Sequence, residues 1–296
     1  MYCLYRIEDV TGYPGGECHL IISDETVLLM DTGYDFCADC ALEKIAAVLG
    51  DRQIDYILLT HSHYDHATGT GKIKRAYPDA QVVASKYAAE IFGRESACAV
   101  MKELNEVAAR RAGVTDNVDA IDALAADVIV QGGDRIRLAD MTIRVMESPG
   151  HTQCSVCYFF EEEEMLVACE TLGIAPTYPV LQPCYVISYK MTRDSIERAR
   201  KLNPRHVFIA HYGLIPDADV ATYFDRAAEA AKRVKDVVLE GYSQGQDKEE
   251  ILNVLIDRFY IKEVERIQPV EAFCINYGVL IERTLADYGY GLDETG

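Results

Sequence analysis

Residues 60–66 read Thr60-His61-Ser62-His63-Tyr64-Asp65-His66, directly after an apolar run over residues 56–60 whose pattern predicts a buried strand. The chain has only seven histidines, and three of them fall within this block. In an extended or turning segment, side chains two apart project to the same side. His61 and His63 can therefore reach one point, while Asp65 and His66 open the next helix and can reach a second. Neutral imidazole and carboxylate hold zinc, iron or manganese, and an open coordination position makes such an ion a Lewis acid. Three histidines and an aspartate so close together have no ordinary packing rationale.

A binding site needs further ligands from other strand ends. His151 lies in Ser148-Pro149-Gly150-His151-Thr152, where Pro-Gly forces a turn after a predicted strand over 141–147. Glu170 follows a predicted strand over 165–169, and His211 one over 206–210. Each is a polar residue at the end of an apolar run, where loops assemble sites. Around them the chain alternates strand and helix patterns. Strands are predicted over 19–23, 26–31, 80–84, 128–130, 135–138 and 156–160, and helices over 38–49 and 67–77. Residues 86–127 read as a helical insertion, with a break at 113–116. Residues 161–164 are four consecutive glutamates in a hairpin turn, read as a solvated loop. Residues 176–183 form a Pro- and Tyr-rich loop, a helix is predicted over 193–202, and from Asp217 the pattern is almost wholly helical, over 220–240, 248–260 and 270–286. The expected division is a catalytic body over 1–216 and a helical extension over 217–296 that covers the cleft.

Composition restricts the partners. The 29 Lys and Arg stand against 48 Asp and Glu in 296 residues, a net charge of −19. That leaves no basic reserve for nucleic-acid phosphates or an anionic membrane, so a small-molecule substrate is expected, with a homodimer left open. Residues 1–9 lack the basic and apolar regions of a signal peptide, and no apolar run is long enough to cross a bilayer. The ten cysteines then read as reduced thiols, and the expected location is cytoplasmic.

With these residues in place, the sequence resembles the metallo-β-lactamase superfamily. The resemblance rests on the aspartate of Asp31-Thr32-Gly33, the His-x-His-x-Asp-His block, the histidine of Pro149-Gly150-His151-Thr152, the acidic Glu170 and the late His211, in that order. It implies an α/β fold, the four-layer αββα sandwich, with metal ions at one edge of two packed sheets. It also implies that His61, His63 and His151 bind a first ion, that Asp65, His66 and His211 bind a second, and that Glu170 bridges them together with a hydroxide. Asp31 would accept a hydrogen bond from a ligand imidazole. Glu170 departs from the pattern, because the bridge is usually aspartate.

The implied activity is metal-dependent hydrolysis of an ester, thioester, lactone or phosphoester of a small metabolite. Two divalent ions are expected, zinc first, with iron or manganese as alternatives. Asp65 could orient the nucleophile, and Tyr64 and Tyr212 are candidate general acids. The helical extension resembles that of glyoxalase II-like thioesterases, although no basic cluster in it stands out to hold glutathione. A non-haem iron oxidoreductase of the same fold is the rival, disfavoured because His63 replaces the glutamate of flavodiiron proteins. A low-turnover binding or regulatory member is the third reading.

Other signals weaken on inspection. Gly69-Thr70-Gly71-Lys72 lacks the remaining positions of a phosphate loop. The pairs Cys37/Cys40 and Cys154/Cys157 read as free thiols, and His19 and His206 as structural histidines. The loop over 177–185 could supply an aromatic pocket wall.

Overall fold

Short β-branched runs flanked by turn residues give the strands, and Ala- and Leu-rich stretches with apolar spacing of three and four give the helices. The computed structural model describes residues 5–114, 124–265 and 270–290. The chain divides into two units, one of Met1–Met146 with Phe160–Glu163, the other of Glu147–Phe159 with Glu164–Gly296.

In the first unit, β1 (Arg6–Asp9), β2 (His19–Ile22), β3 (Val27–Met30), β4 (Tyr56–Leu58), β5 (Gln81–Ser85) and β6 (Val128–Val130) form one sheet in that order. β1, β2 and β3 pair antiparallel, and β3 to β6 pair parallel. All four residues of β3 are buried, as expected of a strand covered on both faces. The register Met30↔Leu58 brings Asp31 and the residues after Leu58 to the carboxyl ends of neighbouring parallel strands, where open α/β sheets place ligands.

The helix α1 (Ala38–Leu49) has the predicted bounds. The helix predicted over 67–77 is instead two, α2 (Tyr64–Ala67) and α3 (Thr70–Ala76). The break has a steric cause. Gly69 donates its backbone N–H to the Gly33 carbonyl at 3.0 Å, and a Cβ there would stand 2.3 Å from the Thr32 carbonyl oxygen, so the backbone is pinned against the loop after β3. The insertion is helical over α4 (Lys86–Phe92) and α5 (Glu95–Arg111). Residues 115–123, which hold part of the expected break, lie outside the described residues, and residues 124–127 are not helical. A hairpin of β7 (Arg135–Arg137) and β8 (Thr142–Glu147) follows. The glutamates over 161–164 do form a turn, tied down by Glu161 to Arg135 at 3.0 Å and by Glu162, which accepts the Thr142 N–H at 2.8 Å.

In the second unit, β9 (Val156–Phe160), β10 (Met165–Val167), β13 (His206–Ile209) and β14 (Gly213–Leu214) lie in the order β14-β13-β10-β9. Parallel pairing of β10 with β13 sets Val167 opposite Phe208, so Glu170 and His211 leave the same edge. Residues 176–183, expected as a loop, contain a two-stranded hairpin of β11 (Ile174–Thr177) and β12 (Val180–Gln182) around a cis Tyr178–Pro179 bond. Prolines are tolerated there because the pair has open edges where a missing N–H costs no ladder bond. Helix α6 (Tyr189–Arg200) starts four residues before the predicted position, because Ser188 caps it by accepting the Met191 N–H at 3.1 Å. The tail is α7 (Asp217–Ser243), α8 (Lys248–Phe259), α9 (Lys262–Glu265) and α10 (Val270–Asp287). Their apolar faces share a core with Tyr185 and Tyr189, in which Phe273 and Tyr277 stack 3.9 Å apart. Among the described residues no helix is long and apolar enough to cross a membrane.

Candidate metal centre

The first unit carries the histidine block on the loop after β4 and on α2. Asp31, at φ 52° just past β3, is the hub. One carboxylate oxygen accepts the Thr60 backbone N–H at 2.7 Å, and the other accepts the Thr60 hydroxyl and His66 Nδ1, each at 2.8 Å. A threonine hydroxyl has one proton. Because Thr60 gives its proton to Asp31, its oxygen accepts from His61 Nδ1 at 3.0 Å. Both imidazoles are thereby held with Nδ1 protonated, and the lone pair rests on Nε2. Their rings are buried and lie 4.2 Å apart, with His63 4.7 Å from His61. Asp65 approaches His66 Nε2 at 3.6 Å.

The second unit repeats this logic on other elements. Gly150, at φ 144°, turns the chain against α6, where a Cβ would stand 2.2 Å from Thr192 Oγ1. This close approach delivers His151, whose backbone N–H donates to Thr171 Oγ1 at 3.1 Å and whose Nδ1 donates to the Cys184 carbonyl at 2.7 Å. His151 Nε2 then meets one oxygen of Glu170, and His211 Nε2 meets the other at 2.5 Å. Burial would push the Glu170 carboxyl up, but His151 and His211 outweigh it and hold it well below the usual carboxylate range. Burial opposes a charge on His151 as well, and Cys184 and Glu170 reverse that, raising it well above ordinary imidazole.

The donor set fits metal ions. In His61, His66 and His151 Nδ1 is bound by a protein acceptor, which is the arrangement that fixes the tautomer and turns Nε2 toward an ion. A buried carboxylate between two imidazoles supplies the negative charge that divalent ions require.

The two candidate acids sit differently. Tyr64 is half-buried, its ring 5.7 Å from Tyr34. Tyr212 is 43% exposed and packs on Tyr178, 5.2 Å between ring centres. The rejected signals also have concrete roles. Lys72 pairs with Asp39 at 3.1 Å, His206 with Asp217 at 2.7 Å, and His19 lies 4.0 Å from Asp9. Cys157 has its sulfur partner at Cys169, 3.5 Å away, rather than in its own Cys-x-x-Cys pair. Sequence reasoning missed Thr60, Thr171 and the Cys184 carbonyl. Thr60 was visible beside the block, whereas a backbone carbonyl from a distant loop leaves no sequence signal.

Comparison with known proteins identifies the family. A family model described as the metallo-beta-lactamase superfamily matches residues 12–211. Among curated proteins, the hydroxyacylglutathione hydrolase of Bradyrhizobium sp. (strain ORS 278) is 25% identical over 185 residues, 60% of this chain and 58% of the relative. That of Francisella tularensis subsp. novicida (strain U112) is 31% identical over 120 residues, 40% of this chain and 34% of the relative. The chain thus spans about a third to three fifths of the length of these relatives. A metallo-beta-lactamase family protein of Thermus thermophilus has a similar structure, with a TM-score of 0.64 at 20% identity, covering 96% of this chain and 94% of that one. An archaeal metallo-beta-lactamase superfamily protein of Sulfolobus tokodaii gives 0.58 at 21%, covering 77% and 85%. These likenesses show the α/β fold with its carboxy-terminal helices. Since the family model's span takes in the histidine block, the Pro-Gly-His turn, Glu170 and His211, the chain belongs to the metallo-beta-lactamase superfamily.

Proposed function

We propose that the chain is a metal-dependent hydrolase in which the two half-sites act as one dinuclear centre. His61, His63 and His151 would hold one ion, Asp65, His66 and His211 the other, and Glu170 would bridge them. Zinc is the first choice, with iron or manganese suited to the same donors. The observation that carries the reading is the Nδ1 pattern: His61, His66 and His151 each spend that nitrogen on a protein oxygen. When bound, the ions supply Lewis acidity for a carbonyl or phosphoryl oxygen and acidify water toward a pKa of about 7.

The rest belongs to the protein. Asp31 keeps His66 in one tautomer through turnover, and Thr60 passes the same constraint to His61. Asp65, half-buried and 3.6 Å from His66 Nε2, would orient the attacking water. The name of the curated relatives puts an acylated thiol, a thioester, ahead of the other esters. A small cytoplasmic metabolite accords with the −19 charge, and the ions reverse that charge locally, so an anionic substrate is accepted.

The test is elemental analysis of the purified protein together with turnover of model thioester, ester and phosphodiester substrates. His61→Ala and His151→Ala should each strip metal and abolish turnover. Unchanged activity in both would refute the assignment, and one iron per chain with oxygen uptake would replace it with an oxidoreductase.

A further inference from the structure

The carboxy-terminal helices and the β11–β12 hairpin line an open cavity of about 710 Å³ within the second unit. That is in the range of about 300 to 1,000 Å³ typical of small-molecule pockets. Its chemistry is unlike the rest of this acidic chain. Arg226 and Arg233, two turns apart on α7, and Arg258 in the last turn of α8 all line it. They were illegible as a cluster because they are spread over two helices, and only the packing of α7 against α8 brings them together.

The three arginines differ in what already holds them. Arg226 grips the hairpin, donating to Tyr178 Oη at 3.0 Å and to the Pro179 carbonyl while lying 5.0 Å over the Tyr178 ring. Arg233 rests 5.7 Å from the Phe259 ring. Among the described residues Arg233 and Arg258 form no ion pair. Two acids share the lining, Asp225 and Glu229, and Asp225 is already paired with Arg200 at 2.7 Å. The remaining balance is positive, an exception in a chain of net charge −19.

A second observation is independent of charge. Gln182, on β12, is 5% exposed and lines the same cavity, and its side-chain nitrogen is buried with no hydrogen-bond partner. A buried amide donor left unmade costs free energy that a ligand acceptor would recover. Val180, Leu181, Phe259 and Ile261 supply apolar wall.

We propose that this cavity binds a small amphipathic anion, a carboxylate or phosphate head on an apolar stem, at a site separate from the metal-binding histidines. Arg233 and Arg258 hold the head, since a guanidinium fork matches planar oxyanions. Gln182 donates to an oxygen nearer the stem, and the stem lies on the apolar wall. None of the lining residues is a proposed metal ligand, so the site does not depend on the proposed reaction.

The test is calorimetric titration of the full chain, loaded with metal, with octyl phosphate, octanoate and the uncharged octanol. At least one anion should bind, with octanol weaker by about tenfold or more, as loss of charge-assisted hydrogen bonds implies. R233A/R258A should weaken the anion by a similar factor, and Gln182→Leu by a smaller one, with the metal content of both variants unchanged. The phosphate and carboxylate arms show which head the forks prefer. Equal affinity for octanol, no heat with either anion, or anion affinity unchanged in R233A/R258A would each overturn the proposal, the last because it places the anion on the metal ions instead. Binding is read without turnover, so failure of the hydrolase assays and failure of this site are separate results.

Discussion

Asp31 has a left-handed backbone and accepts three hydrogen bonds, from the Thr60 N–H, the Thr60 hydroxyl and His66 Nδ1, which makes it a poor place for an amide. Asp31→Asn keeps the shape but loses the negative charge and presents donors where acceptors are needed. Metal affinity should fall by about 10- to 100-fold, the usual cost of removing a carboxylate behind a ligand histidine. Competition with a chromophoric chelator measures this, and an unchanged dissociation constant would show that Asp31 has only a packing role. At this scale the candidate ligands were legible in the sequence and most of their supports were not. Histidine and aspartate at ligand spacing stand out in a chain with seven histidines, and strand ends are where such residues gather. The hydrogen bonds that aim them come from Thr60, Thr171 and a Cys184 carbonyl, groups common everywhere in proteins and silent in composition. Asp31 is the exception among the supports, singled out in the sequence and lying 2.8 Å from His66 Nδ1.

Among the secondary-structure elements, those with strong periodicity were read best. The helix α1 and the strands β6 and β9 have their predicted ends, because apolar spacing and flanking turn residues agree there. Misreadings came where tertiary contact overrides local pattern: Gly69 splits one predicted helix, and two prolines disguised the β11–β12 hairpin as a loop. The strands β1 and β14 were not read, because neither Arg6-Ile7-Glu8-Asp9 nor Gly213-Leu214 is an apolar or β-branched run. The start of α8 shows how local chemistry fixes a boundary. Asp247 accepts the Glu250 N–H at 2.8 Å, and Glu250 accepts the Asp247 N–H at 3.0 Å, a reciprocal cap. Asp247→Ala removes half of it and should cost about 1 kcal/mol. Urea denaturation followed by circular dichroism would detect that as a lower midpoint with the same slope, and an unchanged midpoint would mean that core packing alone sets the end of α8.

Across the whole molecule, net charge set the expectation of a small-molecule substrate but could not reveal that arginines from two helices collect around one cavity. Nor did it show how the tail is used. The helices α7 to α10 cover Tyr185 and Tyr189, and Tyr223 on α7 donates to the Leu172 carbonyl at 2.9 Å. A chain ended after Pro216 would uncover both tyrosines and leave that carbonyl unmatched. It should be insoluble or bind a hydrophobic dye strongly, and a soluble truncation with native circular dichroism would show that the rest of the unit stands without them. The strand order of the first unit has a consequence for synthesis. The six strands of its β1–β6 sheet neighbour one another in the order in which they are made, so each emerging strand meets a partner already in place, and no pairing in that sheet must wait for a later segment. All six are complete by Val130, before His151, Glu170 and His211 have been translated. During translation the nascent chain can therefore present His61, His63, Asp65 and His66 on a finished sheet, and the remaining three candidate ligands arrive afterwards, in a second unit that closes only when β13 returns to pair with β10.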